Sequence, residues 1–521
     1  MLDRRMFLSA AGAGLIAAPA ILRAQSQFRS FPFSLGIASG DPSTDGFVLW
    51  TRLAPDPDDR HGGMGMAPMD VEWEVATDDR FAQVVKKGTA VARPEVGHSV
   101  HVIVDGLQPD RPYFYRFTAG GERSFRGRAR TLPLANAVIE RLRFAVAGCQ
   151  NYEDGYFTAW RHMARDEELG FVYHYGDYIY EYRGSPTRSN YFTGGLTVPV
   201  RQHDGQDAFD LADYRQRYAQ YKRDPDLQRA HAAHTFLMSY DDHEVANNWV
   251  QDIEDDAPRD LFRLRRAAAL QAWWEHMPLR ASPLAVIQGG TMYRGFRWGT
   301  LAELAVLDTR LFRSDQPCDD GFKPLCDGVR DPQATVLGAE QERWLDRALG
   351  TRDTRWVGIA QQIMAMSLDR RRRTEEPTRI GNMDSWAGYE VPRQRLLAGL
   401  ARRGNAVVLT GDEHQNFAGD LVHRDRVVAS EFVATSISSG GDGSDLRPGS
   451  EQFMAFNPEL KFVNDQRGYV VCDVTADRWG VDFMTIDRVS RPDARLNRRA
   501  RAEVAYGTPG LRMADTTSVP V

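Results

Sequence analysis

Phe171-Val172-Tyr173 continues through His174 and Tyr175 into Gly176-Asp177-Tyr178-Ile179-Tyr180, an apolar run that stops at a glycine and an acid. A short apolar run closed by a turn residue reads as a buried strand, and Gly176 lets the backbone turn tightly ahead of Asp177. The arrangement recurs. Thr235 to Met238 precedes Asp241-Asp242-His243-Glu244, Ala406 to Leu409 precedes Gly411-Asp412-Glu413-His414, and Phe144 to Val146 precedes Ala147-Gly148-Cys149. In an open α/β sheet the carboxyl ends of strands converge on one crevice, so ligands distant in sequence can meet there. Asp, Tyr, His and thiolate gathered in such a crevice predict a multinuclear metal centre, a kind of site that hydrolyses phosphate esters.

Outward from these motifs, strand patterns begin near Leu142, Phe171, His234, Glu303, Trp356 and Val407, and helical stretches fall at Ala208 to Lys222, Leu261 to His276, Gly338 to Leu349 and Arg393 to Arg402. The alternation predicts a layered α/β unit over residues 140–505. Val427 to Ile437 and Gly468 to Ile486 read as hairpin strands, and Asn497 to Glu503 as a final charged helix. Residues 30–135 read as all-β: short runs rich in Val, Phe, Trp and Tyr alternate with Gly, Pro and Asp turns. Leu107-Gln108-Pro109-Asp110-Arg111-Pro112-Tyr113 has the form of an immunoglobulin- or fibronectin-like corner, in which a Tyr hydroxyl bonds back to upstream backbone. Thr131 to Leu134 is the expected linker.

Residues 1–24 carry a twin-arginine signature, Asp3-Arg4-Arg5-Met6-Phe7-Leu8, then a small-residue apolar stretch too short and too weakly apolar to span a bilayer comfortably. A twin-arginine signal peptide implies the twin-arginine translocation machinery as a partner and a periplasmic or secreted destination, with no stable membrane insertion. That leader holds three Arg and one Asp; the net charge is −6 overall, so the remainder stands at −8. Such an acidic chain argues against a nucleic-acid-binding surface. Of four cysteines, Cys318 and Cys326 share a loop that an exported protein can close with a disulfide. Cys472 sits in a strand pattern and reads as core.

The ordered set Cys149, Gly176-Asp177-x-x-Tyr180, Asp242-His243-Glu244 and Gly411-Asp412-x-His414 resembles the PhoD-like alkaline phosphatases and phosphodiesterases, and more distantly the purple acid phosphatases. The resemblance implies a metallophosphoesterase-type α/β sandwich preceded by the β domain, and Fe³⁺ plus Ca²⁺ as cofactors. By it, Asp177 bridges two metals, and Cys149, Tyr180 and His414 complete the ferric set. Asp242, Asp412 and Gln361 belong to the second cation, whose oxygen ligands suit calcium; Gln361 and Gln362 both remain open for that place. His243 is expected to meet the substrate or its leaving group, or alternatively to rest on Glu244. Asn247-Asn248 is a further candidate for phosphate oxygens. Asp308-Thr309-Arg310 reads as a structural salt bridge, and Asp384 to Tyr389 and Asn464 to Tyr469 are family patterns without assigned chemistry.

The implied activity is hydrolysis of phosphate mono- or diesters by a metal-bound hydroxide. The alternatives are a phospholipase D-like phosphodiesterase and a noncatalytic secreted protein stabilised by calcium. No Asp-Ser-Ala type nucleophile motif and no zinc-type His-Glu-x-x-His helix is present.

Overall fold

The computed structural model describes residues 28–189, 196–254, 257–288, 290, 292–371, 376 and 378–521; the twin-arginine reading lies outside them. Two twisted sheets lie face to face. At the centre of the first, Arg141–Ala147, Phe171–His174 and Thr235–Met238 pair in parallel. At the centre of the second, Ala302–Val306, Trp356–Ala360, Ala406–Thr410 and Arg426–Val433 do the same. Parallel strands need crossovers, and the helices Thr158–Met163, Leu211–Lys222, Pro225–Ala233, Arg259–His276, Gly338–Gly350 and Glu390–Arg403 stand among those connections. The four predicted helices and six predicted strands are all present, with ends moved by a few residues.

The apolar runs are continuous because each central strand is covered on both faces. Phe144, Val146, Tyr173 and Leu237 meet Leu304, Val306, Ala360, Val407 and Leu409 in the layer between the sheets. On the outer face of the first sheet, Val172, Phe236 and Met238 pack with Trp160, Tyr218 and Trp273 from the helices. On the outer face of the second, Val357, Ile359 and Val408 pack with Leu345, Leu349, Leu396 and Leu400. The result is helix, sheet, sheet, helix, and the strand ends named above open at one rim.

The amino-terminal strands divide between two sheets. Met69–Ala76, Val84–Ala92, Pro112–Ala119, Glu122–Arg123 and Gly127–Arg130 form an antiparallel sheet of their own. Ile37–Ser43, Gly46–Arg52 and Ser99–Val104 instead extend the first central sheet, because Ile37–Ser43 pairs in parallel with Thr235–Met238. Phe47, Leu49, Val71, Val75, Tyr115 and Phe117 fill the space between them. The corner is formed as expected, with the Gln108 N–H donating to the Tyr113 hydroxyl at 2.9 Å. Cys318 and Cys326 are bridged, and Cys472 is a buried free thiol. No helix among the described residues is long and apolar enough to cross a membrane.

One expectation fails. Asn497 to Glu503 is not helical; it lies in the strand Leu496–Ala505, paired with Arg478–Ile486. Its period is two: Ala500, Ala502 and Val504 enter the layer between the sheets. The intervening Arg501 meets Asp482 on the neighbouring strand in a two-pronged ion pair of 2.7 and 2.6 Å. The charges that suggested a solvated helix are cross-strand partners.

Candidate metal centre

Each strand-end motif turns sharply into the crevice. Cys149, Asp177, Asp412 and His414 all adopt left-handed backbone, with φ of 50°, 55°, 67° and 52°. Non-glycine residues rarely accept that conformation, and when they cluster they mark a site whose surroundings hold them there. Gly176 has φ of 132°, and a Cβ on it would lie 2.5 Å from Asp241. A Cβ on Gly411 would strike the Tyr175 ring at 2.1 Å, so that glycine lets two motifs approach.

Within the crevice the Cys149 thiol lies 3.3 Å from Asp177 Oδ2, and the Tyr180 hydroxyl 3.0 Å from the same oxygen. The Tyr180 hydroxyl also lies 3.2 Å from His414 Nε2 and 2.8 Å from the Ser439 hydroxyl. Three overlapping groups hold donor atoms within 4.8 Å of one another: Cys149, Asp177 and His414; Asp177, Asp242 and His243; and Asp241, Asp242 and Asp412. Asp177 belongs to two of them and links the thiolate side to the carboxylate side. Six of the eight predicted site residues thus meet in these groups with Tyr180 bonded to them.

Gln361 is engaged on one side. Its amide oxygen accepts the Trp386 indole N–H at 2.7 Å, and its Nε2 is buried without a hydrogen-bond partner among the described residues. Gln362 is fully engaged elsewhere: its oxygen accepts from Thr309, and its nitrogen donates to the Leu307 carbonyl at 2.9 Å. Asn248 is engaged too, donating its side-chain amide to Asp320 at 2.6 Å and its backbone N–H to Asp242 at 2.9 Å.

His243 does not rest on Glu244. Its Nδ1 meets Glu181 Oε2 at 2.8 Å, and its ring stacks on Tyr180 with centroids 4.0 Å apart. Its Nε2 lies 3.9 Å from Asp242 Oδ2. Glu244 instead clamps two strand-end loops together, its carboxylate accepting the backbone N–H groups of Asp177, Tyr178 and Asp241 at 3.0, 2.6 and 2.8 Å. Glu181 and Ser439 escape sequence reading, for no spacing marks them; Glu181 adjoins Tyr180, but only the fold turns it back on His243.

The electrostatics demand positive charge. Burial, then Asp242 and Asp241, pushes the Asp177 carboxyl well above the usual range, and burial with Asp241 and Asp242 does the same to Asp412. Burial also raises the Cys149 thiol and the Tyr180 phenol, and Asp177 adds to both. Burial would raise Asp242 as well, but Arg310 and His243 hold it well below the ordinary carboxylate value. One oxygen each of Asp177, Asp241 and Asp242 is buried without a hydrogen-bond partner among the described residues. Asp177 and Asp412, acids that the protein alone cannot ionise, and the unpartnered oxygens of Asp177 and Asp242 are what a cation would complete. The donor set fits a metal centre.

Comparison with known proteins agrees with this geometry. The family model described as PhoD-like phosphatase matches residues 144–483, and that of the PhoD-like phosphatase N-terminal domain matches residues 17–133. Alkaline phosphatase D of Bacillus subtilis (strain 168) is 43% identical over 536 aligned positions, covering 99% of this chain and 90% of that protein. A solved structure described as "Structure of PhoD" superposes with a TM-score of 0.89 at 43% identity, covering 94% of each chain. The strands, the crevice and the ordered motifs therefore have one explanation: the chain belongs to the PhoD-like phosphatase family and is a phosphoric-ester hydrolase.

Proposed function

We propose that this chain is an exported, metal-dependent phosphoesterase of the alkaline phosphatase D type, acting on phosphate mono- or diesters. The observation that carries the reading is the position of Asp177, shared between a Cys/His group and a carboxylate group. Cys149, Asp177, Tyr180 and His414 would hold Fe³⁺, for which thiolate, phenolate and imidazole are apt. Asp177, Asp242 and Asp412 would hold Ca²⁺, a cation of oxygen ligands, with Gln361 offering the remaining lone pair of its amide oxygen. Two such cations would clamp the phosphoryl oxygens and activate water for in-line attack.

The protein's own residues supply the rest. Burial lowers the proton affinity of His243, but Glu181, Asp242 and Asp177 outweigh it and raise the pKa well above the ordinary value. Cations beside it would bring that affinity back toward the working range. Glu181 fixes the ring through Nδ1, leaving Nε2 to give a proton to the departing alcohol oxygen. Glu244 keeps the loops of Asp177 and Asp242 in register. Elemental analysis of purified, active protein together with turnover of a monoester and a diester panel tests the reading; a metal-free protein that retains full turnover would refute it.

A further inference from the structure

Asp308-Thr309-Arg310, expected to form a salt bridge, interlocks with the Asp384 motif beside the centre. Arg310 is fully buried. Its Nε lies 2.5 Å from Asp241 Oδ1, its Nη1 2.9 Å from Asp384, and its Nη2 3.4 Å from Asp242 Oδ1. Asp384 is fixed in turn by Arg313 and by Gln316 Nε2 at 2.9 Å. One planar guanidinium thus faces three carboxylates, in the forked geometry that only arginine offers.

Proximity alone would recruit Asp241 as a ligand, since its carboxylate stands with those of Asp242 and Asp412 within 4.8 Å. The hydrogen bonds restrain it. Asp241 Oδ1 is taken by Arg310 and its backbone N–H donates to Glu244, so the residue is pinned through both, with only Oδ2 lacking a hydrogen-bond partner among the described residues. We propose that Arg310 is a positioning residue: it withholds Asp241 from the cations, leaving Asp242 and Asp412 to hold the second one. The inference rests on the two-cation reading above. Its consequence is a matter of charge, for a further carboxylate would tighten cation binding while repelling the phosphate the cations must attract.

The test uses full-length protein equilibrated in chelator-buffered Ca²⁺, with bound calcium measured by elemental analysis. Asp241→Asn should leave calcium half-saturation within about threefold of the unchanged protein, because that carboxylate is not a ligand. Arg310→Gln frees Asp241, so calcium should bind about tenfold more tightly while KM for a chromogenic phosphodiester rises. Adding Asp241→Asn to Arg310→Gln should return both quantities toward their original values. A merely structural arginine predicts the reverse: calcium lost in Arg310→Gln and not restored by the second change. Loss of calcium in Asp241→Asn alone would make Asp241 a ligand and overturn the inference, whether or not Arg310→Gln folds. Absence of saturable calcium uptake by the unchanged protein would overturn the two-cation reading, and this inference with it.

Discussion

Cys149 Sγ lies 3.3 Å from Asp177 Oδ2, and both residues hold left-handed backbone at the ends of adjacent parallel strands. A thiol and a carboxyl so placed repel one another once ionised, and burial worsens the repulsion. Such a pair is unfavourable in an empty protein and favourable around a cation. The two strained turns are thus best understood as preparation for a ligand rather than as packing.

Asp177→Asn removes the one carboxylate common to both donor groups. Metal content should fall on both sides of the centre, and activity should drop by more than the roughly 10²-fold typical of a lost supporting residue. Elemental analysis of the folded variant beside its turnover checks this; normal metal content would contradict the bridging role.

Tyr180→Phe deletes the phenol that bonds Asp177 and His414. If Tyr180 and Cys149 bind Fe³⁺, concentrated protein should be coloured by charge transfer, and the variant's visible band should weaken or shift. A colourless protein with full iron occupancy would rule out one or both ligands.

His243→Ala should leave the metals in place and lower turnover by about 10²- to 10⁴-fold on substrates with poor leaving groups. The defect should shrink for p-nitrophenol esters, whose leaving oxygen needs less help from an acid. Glu181→Gln should produce a milder loss in the same direction and move the pH profile, since it keeps an acceptor for His243 Nδ1 but removes the negative charge beside it. Unchanged turnover of His243→Ala on poor leaving groups would remove it from the reaction.

Away from the centre, burial pushes His101 and His234 down to about 4. Their unfolded forms take up protons near 6.5, whereas the folded forms stay neutral until about 4. The stability they contribute is therefore complete above 6.5 and is lost as the pH falls toward 4, at up to about 1.4 kcal/mol per pH unit for each group. His101→Gln can still donate to the Trp274 or Met277 carbonyl. Urea unfolding across that range should show a shallower slope for the variant, and an identical slope would contradict the assignment.

Much of the centre is legible in the sequence because its candidate donor residues follow strand ends, where apolar run and glycine give the position and residue type gives the chemistry. Asp177, Asp242 and Asp412 are found that way. Glu181 is not, because it acts through a contact that only the folded chain creates; Arg310 is legible as a salt-bridge residue but not in its partners, for it reaches Asp241 and Asp384 from another strand end. The strand Leu496–Ala505 misleads for a related reason: its arginines look solvated until the neighbouring strand supplies their acids. The amino-terminal β region is legible in its strands and its Tyr113 corner. That Ile37–Ser43 joins the central sheet is not, since nothing in the sequence specifies which edge of a sheet a strand will extend.

The central claim is that one crevice holds two different cations bridged by Asp177. Metal-to-protein ratios of purified, catalytically active chain test it most directly. One iron and at least one calcium per chain, with activity abolished by EGTA and restored by Ca²⁺, is the predicted result. Active protein containing only zinc or magnesium, or no metal, would contradict it.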